Sequence, residues 1–284
     1  MSNEKKELSI SIEDIITRAC KLPYCKIDRE TFLTKQLKGK VSSEMLVDAL
    51  ENGTVNAGVP MDVLNSIADG SIKLETTKAT SLSTAAGIPG GIALIGTVPA
   101  DLAQFYAHVF RISQKLAYIY GYKEIDLDDK THNLLIIFLG VMSNVGLATA
   151  AITKLATANA AKIGARVAAI PLTKYAIYNI SKKVLAWLGV KLTKAMVGRA
   201  VTKIVPIVGG VVSGGLTVAL FLPMSKKLKK ELSRLAAMSP EDLEKAEVEA
   251  DIILTEYKID PNHISDADDE EIIEEPIDDL EEEV

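Results

Sequence analysis

The chain has 284 residues, of which 48% are hydrophobic, 25% charged and only 5% aromatic, and its net charge is -6 with a mean hydropathy of +0.19. That length allows one large domain or two small ones, and the apolar share excludes a wholly disordered chain. Two cysteines, Cys20 and Cys25, exclude a disulfide framework and make a poor zinc half-site, so reduced thiols in a cytosolic compartment are expected.

The first residues, MSNEKKELSISIEDI, interrupt any apolar run with Glu4, Glu7, Glu13 and Asp14, so export by the usual route is not expected. Residues 1–40 read as a polar, mixed-charge arm broken at Pro23. Short amphipathic helices follow: Ser42 or Ser43 caps EMLVDAL, Asn52 and Gly53 stop it, and VPMDVLNSIADG forms another ending at Gly70. Residues 79–100 carry no charge. Within them GIPGGIALIG fits neither the Walker A pattern nor the dinucleotide fingerprint, so a helix kink or tight turn around Pro89 and Pro99 is the preferred meaning.

The next helix runs from Pro99 to Gly121. Asp101, Gln104, His108, Arg111 and Lys115 are spaced three, four, three and four apart and share one stripe, with apolar residues on the rest of the surface. This stripe is either the wet side of a core helix or a polar seam in which Asp101 and His108 contact a ligand and Arg111 binds an anionic headgroup. Asp126, Asp128, Asp129 and His132 are conceivable metal partners for His108, but capping of the following helix accounts for them without chemistry, and no metal or cofactor is assigned. With three histidines, no nucleophile elbow and no His-Glu-x-x-His pattern, a non-catalytic role is favoured and no catalytic residue is assigned.

Residues 133–153 and 204–225 are the other charge-free stretches, each long enough to span a bilayer or to form the core of a helical protein. Between and beyond them, positions 154–234 hold 15 basic residues against one acid, Glu231. The interleaving residues are Ala, Ile, Val, Leu and Gly. That pattern disfavours nucleic acid and suits a cationic helix at a lipid surface, with Lys182, Lys183, Lys191, Lys194, Lys226, Lys227, Lys229 and Lys230 as lipid-binding candidates. Gly87 and Gly91, like Gly210 and Gly214, are four apart and suit close helix contact within one chain or in a homo-oligomer. Ser239 caps a last helix starting at Pro240. Residues 241–284 hold 20 acids and 2 bases, and beyond Pro261 the tail is read as disordered.

The stretch AGIPGGIALIGTVPADLAQFYAHVFRISQKLAYIYG, with Gly87, Pro89, Gly90, Gly91, Pro99, Asp101, Tyr120 and Gly121, resembles the core of EcsC-family bacterial proteins. IVPIVGGVVSGGLTVALF, with Pro206 and Gly209, resembles the family's closing segment, and together the similarity covers roughly residues 41–235. The resemblance implies a helical bacterial protein linked to an ABC-transporter system, with no catalytic residues to carry over. The long acidic tail departs from a minimal member.

The expected architecture is all-α: a compact bundle of Gly/Ala-rich helices over residues 41–239, preceded by the arm and followed by an acidic helix and tail. The expected function is non-enzymatic association with the cytoplasmic leaflet of an anionic phospholipid membrane, peripheral or integral, through the basic Gly-rich region and under control of the tail. A transporter or a basic protein is the other partner class. The alternative is a soluble enzyme or ligand-binding protein with its polar site at Asp101 to Lys115.

Overall fold

The computed structural model describes residues 12–86, 94–122, 125, 132–161, 172, 174–201 and 209–259. Among them ten helices form and no strand: α1 Ile12–Cys20, α2 Arg29–Leu37, α3 Ser43–Asn52, α4 Met61–Ala86, α5 Leu94–Ile119, α6 His132–Met142, α7 Gly146–Ala161, α8 Lys174–Val201, α9 Gly209–Ala236 and α10 Pro240–Glu256. The fold is all-α, as the sequence implies. The acidic stretch 260–284 and the Gly-rich 87–93 lie outside the described residues.

Local chemistry sets many of the boundaries. Asp28, Ser42 and Ser239 each accept a backbone N–H three residues on, from Thr31, Met45 and Asp242, and so cap α2, α3 and α10. Arg29 closes the end of α3 and ties it to the stretch after α5, donating to the carbonyls of Leu50 at 2.6 Å, Ala49 at 3.1 Å and Tyr122 at 3.1 Å. Gly121 takes φ 92 just beyond α5, a conformation open to glycine.

Of the expected polar arm, residues 12–40 are described, and they hold two packed helices. Ile15, Ile16 and Ala19 of α1, with Leu33 and Leu37 of α2, are buried in the main apolar cluster, and both helices pack on α5. Gly70 likewise does not end a helix. It lies within α4, where a missing side chain costs only about 1 kcal/mol and the apolar face continues through Ile67, Ala68, Ile72 and Ala79.

α5 is the central helix, with α1, α2, α4, α6 and α9 around it. Nearly every side chain from Ala103 to Tyr120 is buried, including Phe110, Leu116 and Tyr118. α9 lies along α4, burying Phe221, Ser225, Leu228, Leu232 and Leu235, which recur every three or four residues.

The charge-free stretch 133–153 does not form one span. α6 ends at Met142, Asn144 adopts φ 68, and α7 starts at Gly146, so the stretch folds into two packed helices. No helix among the described residues is long and apolar enough to cross a membrane. Gly140 of α6 allows this packing to be close: a Cβ there would stand 2.6 Å from Ala148 Cβ and 2.9 Å from Val184 Cγ1. Gly140→Ala is therefore expected to destabilise by about 1–3 kcal/mol, whereas Gly146→Ala, which meets open space, stays within about 1 kcal/mol of wild type. Urea unfolding of both variants checks this, and equal stability would refute the close α6–α7–α8 contact.

Candidate functional site

The polar stripe of α5 faces inwards. His108 and Lys115 are buried and Arg111 is half-buried, because α4 covers this side of α5 and supplies a fully buried carboxylate, Glu75. His108 Nδ1 lies 3.0 Å from Glu75 Oε2, Arg111 Nε 3.3 Å from the same oxygen, and Lys115 Nζ 2.5 Å from Oε1. Arg111 Nη2 reaches Oε1 at 3.4 Å, and Lys78, one turn along α4, approaches it to 4.0 Å. One carboxylate thus collects three side chains from successive turns of the central helix.

Burial alone would raise the Glu75 pKa, but the hydrogen bond from His108 and the charges of Lys115 and Arg111 outweigh it and hold the group well below the ordinary carboxylate range. Burial also pushes the Lys115 ammonium down, opposed by Glu75. An ionised carboxylate only accepts, so His108 Nδ1 carries the proton that faces it. The other ring nitrogen, Nε2, is buried with no hydrogen-bond partner among the described residues. Phe32 lies 5.6 Å from the Lys115 ammonium, and Tyr24 stacks obliquely on His108 at 5.7 Å between ring centres. Arg111 also donates to the Tyr24 carbonyl, tying the α1–α2 loop to the cluster.

Of the remaining stripe residues, Gln104 is half-buried, while the side chain of Asp101 lies outside the described residues. The stripe is therefore a buried seam and not the wet side of the helix. Asp126, Asp128 and Asp129, with the side chain of His132, also fall outside. Gln114, which the stripe omits, is fully buried: its Nε2 donates to Cys25 O at 3.0 Å and its Oε1 accepts from Ile27 N at 3.0 Å.

The basic candidates separate into three groups. Lys226, Lys227 and Lys230 of α9 are exposed. Lys182 and Lys183 of α8 are half-buried, Lys182 lying over the Tyr178 ring at 4.9 Å, and Lys229 pairs with Asp69 at 2.6 Å. The side chains of Lys191 and Lys194 lie outside the described residues. Lys154, the start of the basic stretch, is buried in α7 and held by α10 through Glu247 at 2.9 Å and Asp251 at 2.8 Å. Burial opposes its charge, yet the two carboxylates raise its pKa, so it is a packing element and not a surface contact.

Comparison with known proteins identifies no relative: no family model, curated protein or solved structure matches the chain.

Replacing Glu75 by Gln leaves buried cations uncompensated and is expected to cost about 3–5 kcal/mol. Because the folded-state pKa of Glu75 is depressed, its stabilisation is complete above the ordinary carboxylate pKa and is lost as the pH falls below that value. Denaturant unfolding across this acid range should therefore show a shallower pH dependence in Glu75→Gln than in wild type. Identical slopes would remove Glu75 from the charge balance of the core.

Proposed function

We propose that the protein is a non-enzymatic helical protein that docks on the surface of an anionic membrane through α9. The observation that carries this reading is the exposed stripe of that helix. Ala219, Leu220 and Pro223 stand out from the protein, Leu220 with 44% of its surface exposed, and within two turns they give way to exposed Lys226, Lys227 and Lys230. An apolar end followed by lysines suits a helix that presses Leu220 towards acyl chains and leaves ammonium groups among phosphates.

Each lysine near an anionic leaflet contributes about 1 kcal/mol, so three give reversible, salt-sensitive attachment. Residues 260–284 add 13 acids and no Lys or Arg. Competition between this block and lipid for the α9 lysines would regulate docking, at the effective concentration that a tether provides. The EcsC resemblance points the same way, towards a membrane transport system as the working context.

Vesicle sedimentation tests the reading. Full-length protein should bind phosphatidylserine-containing vesicles, lose binding with added salt and ignore neutral phosphatidylcholine. Exchange of Lys226, Lys227 and Lys230 for Glu should weaken partitioning on the order of a hundredfold or more, and truncation after Ile259 should strengthen it. Charge-independent binding, or none, would overturn the proposal.

A second reading draws on the buried seam. His108 Nε2 has no partner among the described residues, and Arg111 and Lys115 together outnumber the single carboxylate between them. A protonated phosphate, with a P–OH donor for the ring nitrogen and negative charge for the two cations, would answer both. Inorganic phosphate should then raise the unfolding temperature of wild type and have no such effect on His108→Ala, while equal responses would reject a ligand at this position.

A further inference from the structure

α10 buries one side and exposes the other. Leu243, Glu247, Ala250 and Leu254 turn inwards, on the helix that packs against α7, and the outward stripe reads Glu241, Glu244, Val248, Ile252 and Glu256. Val248 and Ile252 are 58% and 56% exposed, more than any other large hydrophobic residue among those described. They stand one turn apart on the same face and touch the same stretch of surroundings. Two adjoining aliphatic side chains held out between acids make a contact surface for something apolar at its centre and basic beside it.

α9 carries a stripe of that composition. Leu220 and Pro223 are exposed, and the exposed Lys226, Lys227 and Lys230 follow them. The spacings also match: Lys227 and Lys230 stand seven and ten residues beyond Leu220, and Glu244 and Glu241 stand eight and eleven before Ile252. Both helices rise about 1.5 Å per residue, so an antiparallel pair that sets Leu220 and Pro223 on Ile252 and Val248 brings the lysines level with the glutamates. A parallel pair that sets Leu220 on Ile252 instead carries Lys227 and Lys230 past Glu256, the last residue of α10. Lys245, the one base in α10, does not oppose the match strongly, because it is turned to Asp242 at 3.9 Å.

Within one chain the two stripes do not cover each other. α9 packs on α4, α5 and α6 and α10 on α7, and both stripes remain exposed. We infer that the outward stripe of α10 receives α9 of a second copy of the chain, antiparallel, so that the protein self-associates through an apolar centre flanked by lysine and glutamate. Each copy presents both stripes, so a pair that exchanges them leaves neither open. The α9 lysines are the ones that lipid would also take, and a copy engaged in this way cannot dock through them. The self-association does not rest on the membrane reading, since it needs only the two protein stripes.

The test uses the full-length protein without lipid, so its outcome is separate from that of vesicle sedimentation. Sedimentation equilibrium should show a mass that rises with concentration towards that of two copies and falls back with added salt. Exchange of Lys226, Lys227 and Lys230 for Glu, or of Glu241 and Glu244 for Lys, should weaken the association about tenfold or more, because like charges then face each other. An equal mixture of the two variants should restore it, since each reversed stripe meets its opposite on the other chain. Carbodiimide cross-linking of mixed isotope-labelled and unlabelled wild type should join Lys226, Lys227 or Lys230 of one copy to Glu241 or Glu244 of the other, a result that depends on no variant. A monomer at every concentration, association indifferent to both exchanges, no recovery on mixing two folded variants, or cross-links at these residues only within a copy would each overturn the inference.

Discussion

A carboxylate sealed away from water must be compensated from within the protein, and Glu75 is compensated chiefly by the central helix, with Lys78 of its own helix at 4.0 Å. Its partners sit on successive turns of α5, at His108, Arg111 and Lys115, so the cluster fixes the rotation of α5 and its axial position against α4. An apolar contact tolerates a slide of half a turn; this arrangement does not, because a displaced α5 would leave two or three buried cations without a carboxylate. Arg111 extends the constraint to the α1–α2 loop through Tyr24, and Gln114 repeats it one turn further on. The register of α1, α4 and α5 thus depends on a polar seam inside an otherwise aliphatic core.

The stripe itself was legible. Spacings of three and four place Gln104, His108, Arg111 and Lys115 on one face whatever covers it. Its burial was not legible, because spacing does not say whether a polar face meets water or a partner. The partner carboxylate was within reach of the same reasoning. Leu64, Ala68, Ser71, Glu75 and Ala79 recur every three or four residues, which puts Glu75 on the core side of α4. Ending that helix at Gly70 hides the register, and Lys73 and Lys78 on either side give Glu75 the look of an ordinary surface acid. The Ser42 and Ser239 caps, in contrast, depend on a hydroxyl and a nearby N–H and were readable locally.

Aliphatic richness misled in one place and informed in another. Residues 133–153 have the length of a bilayer span, yet Asn144 tolerates a positive φ and breaks the run into α6 and α7, while Gly140 lets them pack tightly. Hydrophobicity there serves a core surrounded on all sides by helices. On α9 the same residue types divide by face: Phe221 and Leu228 are buried against neighbouring helices, while Leu220 is exposed ahead of the lysines. Total apolarity does not separate these cases; the direction each side chain faces does.

The opposition between a basic middle and an acidic end also divides once the fold is known. Glu247 and Asp251 are committed to Lys154, so α10 is joined to α7 by a buried charge pair and by Leu243, Ala250 and Leu254. Removing α10 would expose that apolar surface and leave a lysine buried without a counter-charge, which is a folding defect and not the release of a regulator. The acids beyond Ile259 lie outside the described residues. A boundary drawn at the first acidic residue would therefore group α10, which helps hold the fold together, with the stretch that the proposed competition for the α9 lysines invokes.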